Sequence, residues 1–279
     1  MKRWNRQNEL LADGAERAAF IANWLGGADY PQDTIDDAWV RFLWHTHHDD
    51  LTGTSIPEAY HFSWNDEILS LNQFASVMED GVGYISQALD TQTTGEAVVV
   101  YNPLGYGRED IVEATVVYDS PAPEYVRVFD GGQETASQVL SRSSESVTVA
   151  FMAEIPSVGF KVFDVRPADQ PCSMDTGISV SDRQLENGQY IVTVNADGDI
   201  ASVWDKHNNC EILSEPSRLE LISAYSPSWP AWEVLYGDLQ EMPYDYVNDN
   251  VEIEIVEEGP ARAALQITRT YGDKDVSTF

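Results

Sequence analysis

The segment from residue 45 to residue 57, HTHHDDLTGTSIP, carries the densest set of chemically capable side chains in the sequence. Its first six positions hold three imidazoles and two carboxylates: His45, His47, His48, Asp49 and Asp50. Neutral imidazoles and carboxylates bind zinc, and histidine also exchanges protons near neutral pH. We therefore expect any chemistry of this protein to involve this segment.

Hydrophobic spacing predicts that the segment ends one helix, over residues ~34–50, and leads into another. On a helix, His45, His48 and Asp49 stand at i, i+3 and i+4 and share one stripe. The two histidines can then face one metal ion, and Asp49 can add a ligand or orient a histidine. The spacing alone leaves another interpretation open, in which histidines gather at a helix C-terminus because the dipole favours positive charge there. The spacing differs from H-E-x-x-H, which excludes the metalloprotease motif.

The elements around this segment are predicted to be helices at residues ~4–25, ~34–50 and ~56–89. Short links between three amphipathic helices are typical of a bundle. Capping boxes are expected at Thr34 with Asp37 and at Ser55 with Glu58, and Pro57 fits a first helical turn. The apolar stripe expected on the third helix consists of Trp64, Ile68, Leu71, Ala75, Met78, Val82, Ile85 and Leu89.

From residue 96 onward the period becomes that of strands, and Asp197-Gly198 indicates a tight hairpin. The predicted fold class is α+β: an N-terminal three-helix bundle followed by all-β, sandwich-like domains. We expect domains at 1–90, 91–168 and 169–279, with a polar linker near 167–183. The last domain is expected to be truncated, because the sequence stops at Thr278-Phe279 directly after a strand pattern. Strands are expected at residues 97–101, 112–118, 125–129, 147–151, 160–165, 190–194, 200–204, 251–256 and 263–270.

The net charge of −31 over 279 residues argues against nucleic-acid binding, since no basic patch is visible. Acidic residues spread along the whole chain suit a salt-rich cytoplasm, where their repulsion is screened, so a halophilic source is expected. A cationic partner is the second interpretation. The sequence also lacks a signal peptide and a long apolar run, which predicts a cytoplasmic protein without a membrane span. Cys172 and Cys210 allow one disulfide at most.

Residues 47–57 resemble the His-Asp segment of the α-mannosidases of glycoside hydrolase family 38, where the pattern is roughly Q-[FH]-H-D-x-[IL]-x-G-[ST]-S-I. Thr46 stands where that family usually has Gln or Asn, and Asp50 stands where an apolar residue is common. Downstream segments resemble the entry to the family's first β-domain, its close, and the start of its large β-sandwich. These are residues 98–104 (VVVYNPL), 156–160 (PSVGF), 185–188 (LENG), 198–200 (GDI) and 205–206 (DK).

The resemblance implies a fragment of a zinc-dependent retaining α-mannosidase that hydrolyses terminal α-D-mannosides. By matching position, His48 is the zinc ligand supplied by the bundle, and Asp49 contacts hydroxyls of the mannoside or oligosaccharide substrate. His45 and His47 match no ligand of the family. The catalytic carboxylates and the remaining ligands of the single Zn²⁺ belong to the family's N-terminal domain. The resemblance therefore implies no catalytic residue in this chain, which is expected to be inactive alone.

Two alternatives remain open at the level of sequence. One is a non-enzymatic carbohydrate-binding or surface β-protein with a helical N-terminal segment. The other is a pseudoenzyme piece that assembles with a separately encoded N-terminal catalytic domain. Trp229 and Trp232 bear on the first alternative, because they could flank the face of a sugar or could simply be core aromatics at a loop.

Overall fold

The computed structural model describes residues 1–119, 121–230 and 232–272, together with the backbone of residues 274–278. Three helices come first: α1 (Lys2–Trp24), α2 (Gln32–Trp44) and α3 (Pro57–Ser86). The expected order of a helical bundle followed by antiparallel sheets is confirmed. A short 3-10 helix lies at Asp238–Gln240.

The helix ends differ from the sequence-based expectation. α2 begins after Pro31 and α3 after Ile56, and neither of these side chains has an oxygen that could cap a backbone N–H. Both expected capping boxes are therefore wrong. Pro57 does occupy the first turn of α3, where its missing N–H leaves no hydrogen bond unmade.

Small residues bring α1 and α3 close together. A Cβ added to Gly81 would lie 2.9 Å from the carbonyl carbon of Ala18, so only glycine fits at this point of the contact. Phe42 of α2 and Phe74 of α3 close the apolar core on the other side. The buried core of the bundle consists of Ala12, Ala15, Ala19, Ile35, Ala38, Phe42, Phe74 and Val77.

The stripe predicted for α3 is wrong by one position along most of the helix. Trp64 and Ile68 are exposed, whereas the residues just before them, Ser63 and Glu67, are buried. Periodicity predicts the apolar stripe, but α1 packs against the neighbouring one. That stripe contains Gly81, which lies against Ala18, and the polar Glu67 and Ser70, which bond to Asn8. The buried positions of α3 are Ser63, Glu67, Ser70, Phe74, Val77, Gly81 and Ile85.

Glu67 is fully buried within a polar contact between α1 and α3. Asn8 Nδ2 donates to Glu67 Oε2 at 2.6 Å and to the Glu67 carbonyl at 2.9 Å, and Ser70 Oγ donates to Asn8 Oδ1 at 3.0 Å. Burial raises the pKa of the Glu67 carboxyl, and the hydrogen bond from Asn8 offsets only part of this. The bundle therefore contains a carboxylate that is more easily protonated in the folded state than in the unfolded chain.

Glu67→Gln is expected to stabilise the protein at pH 7.5, and the gain should shrink toward pH 5. Because the folded-state pKa lies above the ordinary value of 4.5, the contribution of Glu67 to stability is lost as the pH rises through the raised pKa. Glutamine keeps an acceptor for Asn8 and removes the charge. Urea unfolding of both proteins between pH 5 and pH 8 measures the effect.

Glu79→Gln is the matched control, since Glu79 lies on the exposed face of the same helix. Its effect on the unfolding free energy should change little over this pH range. A Glu67→Gln variant that follows the control, or that is less stable at every pH, would contradict this account of the buried carboxyl.

Residues from 96 onward form small sheets whose strands match the predicted ones, with additional short strands between them. The hydrogen-bonded orders are β1-β7-β3-β4, β2-β6-β5, β12-β11-β10-β9-β8, β13-β14 and β15-β16-β17. The strand bounds are β1 Glu96–Asn102, β2 Arg108–Val117, β3 Tyr125–Asp130, β4 Gln133–Thr135, β5 Ser137–Arg142, β6 Ser146–Ile155, β7 Gly159–Ala168, β8 Ser179–Ser181, β9 Gln184–Glu186, β10 Tyr190–Val194, β11 Ile200–Asp205, β12 Cys210–Glu211, β13 Glu220–Leu221, β14 Asp245–Tyr246, β15 Asp249–Glu258, β16 Ala263–Tyr271 and β17 Lys274–Thr278.

The hairpin predicted at Asp197-Gly198 is confirmed by the antiparallel pairing of β10 with β11. Gly198 has φ of +76°, and a Cβ there would lie 2.7 Å from Ile267 Cγ2. Its carbonyl accepts a hydrogen bond from buried Arg269, which also pairs with Asp199 at 3.0 Å. The turn is thus tied by its backbone and by a buried ion pair to β16.

The described chain divides into two compact units. The first comprises residues 1–93, 97–109 and 154–163, and the second comprises residues 94–96, 110–153 and the described residues from 164 onward. The domain boundaries expected at residues 90 and 168 stay a prediction. The truncation expected at Thr278-Phe279 also stays a prediction, since Phe279 lies outside the described residues.

Both cysteines are free thiols, Cys172 buried and Cys210 exposed, so the disulfide that the sequence allows is not formed. Among the described residues, no helix combines the length and the apolarity needed to cross a membrane.

Candidate functional site

The three histidines lie beyond the end of α2, in a turn that we define as residues 45–56 and call the histidine turn. α2 ends at Trp44, and His45 is its C-cap with φ −88° and ψ 2°. The helix expected to continue to residue 50 therefore ends six residues earlier. Gly53, with φ of +92°, reverses the chain before α3 begins at Pro57.

His45 is a structural residue and not a ligand that faces the same point as His48. It is 5% exposed, and both of its ring nitrogens contact carboxylates. Nδ1 lies 2.6 Å from Asp50 Oδ2, and Nε2 lies 3.2 Å from Asp66 Oδ2. The stripe expected from the i, i+3, i+4 spacing does not form, because the backbone leaves the helix at His45.

The backbone of the histidine turn is anchored to the first turns of α3. Ser63 Oγ donates to the Asp50 carboxylate at 2.8 Å from Oδ2 and 2.9 Å from Oδ1. Tyr60 receives a hydrogen bond from the Ser55 N–H at 3.1 Å and donates to the Asp50 carbonyl at 3.3 Å. Asp50 thus links His45 to α3. It stands where an apolar residue is common in the family that this segment resembles.

Three side chains of the histidine turn bring their donor atoms together: His47, His48 and Asp49, within 4.8 Å of one another. His48 Nε2 lies 3.3 Å from Asp49 Oδ2, and the rings of His47 and His48 have centroids 4.3 Å apart. The side chain of His48 is 76% exposed and that of Asp49 is 38% exposed. Two imidazoles and a carboxylate are donors that zinc accepts, so these residues fit a zinc ion as a partial ligand set.

Two threonines orient this donor group. Thr54 Oγ1 lies 3.3 Å from both Asp49 Oδ1 and the Asp49 carbonyl, and Thr52 Oγ1 donates to the His48 carbonyl. The Asp49 N–H also donates to His47 Nδ1 at 3.3 Å. From the sequence, His47 matched no ligand of the family, and His45 was grouped with His48 on one helical stripe. The turn-forming residues directly after the histidines, Thr52 and Gly53 above all, were the signal that the helix stops early.

Trp229 and Trp232 are 64% and 67% exposed, which argues against a role as core aromatics. Their loop is held by its own hydrogen bonds: the Trp229 N–H donates to Ser226 Oγ, which donates to Glu233, and the Trp232 N–H donates to the Trp229 carbonyl. The indole rings of Trp229 and Trp232 therefore lie at the surface of the described part of this loop.

The chain thus combines a helical bundle, a His-His-Asp turn between the second and third helices, and antiparallel sheets from residue 96 onward. Residues 1–85 match the model of the alpha mannosidase middle domain, and residues 185–278 match that of the glycosyl hydrolases family 38 C-terminal domain. The chain belongs to glycoside hydrolase family 38.

Two solved structures from Enterococcus faecalis are similar in fold. One is a protein in glycosyl hydrolase family 38, with a TM-score of 0.73, 19% identity and coverage of 96% of this chain and 36% of that one. The other is an alpha-mannosidase, with a TM-score of 0.73, 18% identity and coverage of 96% and 34%. The chain thus spans about a third of the length of these structures. No curated protein sequence matches it.

Proposed function

We propose that this chain supplies the middle and C-terminal parts of a zinc-dependent, retaining α-mannosidase that hydrolyses terminal α-D-mannosides. The observation that carries the proposal is the family's His-Asp segment on an exposed turn, with His48 and Asp49 accessible to a ligand. Retaining glycosidases work with two carboxyl groups and a covalent glycosyl-enzyme. We place both carboxyl groups in a separate N-terminal catalytic domain, encoded with this chain or apart from it.

In this proposal His48 would hold a single Zn²⁺, with ligands from the catalytic domain completing its shell. When bound, the ion would supply a template for adjacent hydroxyls of the mannose ring. The chain's own contribution is positional, because a short turn anchored at both ends places an imidazole with little freedom. Asp50 provides that anchoring, because its carbonyl accepts a hydrogen bond from Tyr60 and its carboxylate accepts one from Ser63, both on α3.

Asp49 is proposed to accept hydrogen bonds from substrate hydroxyls. Its carboxylate is partly exposed and can accept several hydrogen bonds when ionised. Thr54 lies against one of its oxygens, Oδ1, while Oδ2 faces His48. A carboxylate held in this way favours neutral, hydroxyl-rich ligands, since such hydrogen bonds are charge-assisted.

The isolated chain is expected to show no glycosidase activity, because none of its residues matches the family's catalytic carboxylates. The test is the release of nitrophenol from an aryl α-mannoside by the purified chain with added zinc, compared with a mock purification. Turnover above the mock preparation would sink this expectation and require catalytic groups within the chain itself.

A carbohydrate-binding role without hydrolysis is the second candidate, and the exposed Trp229 and Trp232 favour it. Both candidates involve mannosides or oligosaccharides. One measurement distinguishes the two candidate functions: only the enzyme gains α-mannosidase turnover when the chain is joined to a catalytic domain.

We further propose a cytoplasmic location in a salt-rich cell. The free thiols of Cys172 and Cys210 suit a reducing compartment. The net charge of −31 is best tolerated where salt shortens the range of its repulsion.

A further inference from the structure

We propose that a polar pocket beside the β10–β11 turn binds one neutral sugar unit. Its volume of about 270 Å³ lies just below the range of pockets for drug-sized ligands and suits one small molecule. One wall belongs to the turn, at Asn195, Asp197 and Asp199, and the other consists of residues 218–219 and 246–248. We call this site the hairpin pocket. The ligand class follows from the chemistry of these walls and does not rest on the proposed function.

The walls of the hairpin pocket offer both hydrogen-bond donors and acceptors to a ligand. The Arg218 guanidinium has only donors, the Asp197 carboxylate has only acceptors, and the Asn248 amide has both. All three side chains are exposed, and among the residues that the structure describes they make no hydrogen bond or ion pair. A sugar hydroxyl donates and accepts at once, so a hydroxyl-rich ligand can satisfy all three.

A cation–π contact holds Arg218 in place without occupying its donors. Its Cζ lies 5.7 Å from the centroid of the Tyr246 ring, within the distance of about 6 Å at which an aromatic face attracts a guanidinium. The N–H groups of Arg218 therefore remain available to a ligand. Leu219 and Val247 add apolar surface to the same wall. A few polar groups on a partly apolar lining are the usual composition of a small-molecule site.

The charges around the hairpin pocket balance, which favours a neutral ligand. Asp199 is already paired with buried Arg269 at 3.0 Å, so Asp197 and Arg218 contribute one negative and one positive charge. A phosphate or carboxylate would be repelled by the carboxylates of Asp197 and Asp199, and a metal cation by the guanidinium groups of Arg218 and Arg269. Hydroxyls, in contrast, gain charge-assisted hydrogen bonds from both Asp197 and Arg218.

Arg269 connects the two walls of the hairpin pocket. It is 4% exposed, and it donates to the Gly198 carbonyl in the turn and, at 3.5 Å, to the Val247 carbonyl in the opposite wall. The turn has its own bonds as well, since Asn195 Oδ1 accepts from the Asp199 N–H at 2.9 Å. The walls are thus fixed before a ligand arrives, which lowers the entropic cost of binding.

The test is an NMR titration of the full chain, in high-salt buffer, with the methyl α-glycosides of mannose, glucose and galactose. At least one glycoside should cause saturable shifts of the backbone amides of Asp197 and Asn248 and of the Arg218 Nε–H. Arg218→Ala and Asp197→Ala should each weaken binding by at least about tenfold, because each removes hydrogen bonds to a charged group. Arg183→Ala and Asp182→Ala, at exposed positions between β8 and β9, are the matched controls and should leave the affinity unchanged.

The four substituted side chains are exposed, so the variants should fold, and the dispersion of their amide spectra checks this. Inorganic phosphate and Ca²⁺ are the probes for an anionic and a cationic ligand. Shifts at the hairpin pocket with either ion but with none of the three glycosides would overturn the sugar assignment. The absence of any saturable glycoside shift there, or wild-type affinity in both Arg218→Ala and Asp197→Ala, would overturn the site itself. Because the titration measures binding alone, a complete protein without mannosidase activity would refute the proposed function and leave this inference standing.

Discussion

Replacing His48 with alanine in the complete enzyme, with this chain joined to its catalytic domain, is expected to remove zinc and α-mannosidase activity together. Metal-ion catalysis contributes several kcal/mol of transition-state stabilisation, so we expect kcat/KM to fall by at least about 100-fold. The side chain of His48 is 76% exposed, so the loss should not come from unfolding. Zinc content by mass spectrometry and turnover of an aryl α-mannoside are measured on the same sample.

Asp49→Asn and His45→Ala are the comparisons that give this prediction its specificity. Asp49→Asn should keep most of the zinc and lower kcat/KM by about 10- to 100-fold, since a hydrogen bond to a charged group is worth about 1.5–3 kcal/mol. His45→Ala should keep the metal and lower the melting temperature, because Asp50 and Asp66 each lose one of their partners. Loss of metal in His45→Ala with retention in His48→Ala would show that the motif is wrongly assigned.

Raising KCl from 0.1 M to 3 M is expected to raise the thermal midpoint of the chain substantially. The net charge is −31, and the screening length falls from about 10 Å at 0.1 M to about 3 Å at 1 M. Salt also weakens exposed ion pairs such as Arg6–Glu9 and Arg17–Asp13, but each contributes only about 0–1 kcal/mol. The relief of repulsion among the acidic residues should therefore outweigh the weakening of the ion pairs, and the midpoint should rise.

A charge-reduced variant provides the control for the salt prediction. Glu252, Glu254 and Glu258 are exposed on β15, and changing all three to glutamine removes charge without touching the core. The variant should melt higher than wild type at 0.1 M KCl and show a smaller gain with salt. A flat midpoint for the wild-type chain would end the interpretation of the acidic surface as an adaptation to salt.

Hydrophobic periodicity predicted helices and strands well where their position depends only on residues close together in the sequence. The first and third helices of the bundle and the strands at 190–194 and 200–204 were expected at nearly their observed positions. The buried face of α3 was not, because which stripe faces α1 depends on how closely the two helices approach. That distance is set by pairs such as Gly81 with Ala18, which a one-dimensional pattern does not contain.

The candidate site was found in the sequence, but its internal arrangement was not. The residue types and the family resemblance picked out His48 and Asp49, whose roles stay predictions. The grouping of His45 with His48 assumed that α2 continued through the segment. The contacts of His45 with Asp50 and Asp66, 5 and 21 positions away, accompany an early end of the helix and leave His47 as the neighbour of His48.

The anchors of the histidine turn are local in sequence, and this has a consequence for the order of folding. Bonds from Asp50 to His45, Tyr60 and Ser63 close loops of 5 to 13 residues, whereas the contact of Asn8 with Glu67 closes one of 59. The longer loop costs about 1–2 kcal/mol more in closure entropy. We therefore expect the α2–α3 hairpin to form first and α1 to dock onto it later. The nascent chain would then hold the backbone of the histidine turn in place before the bundle is complete.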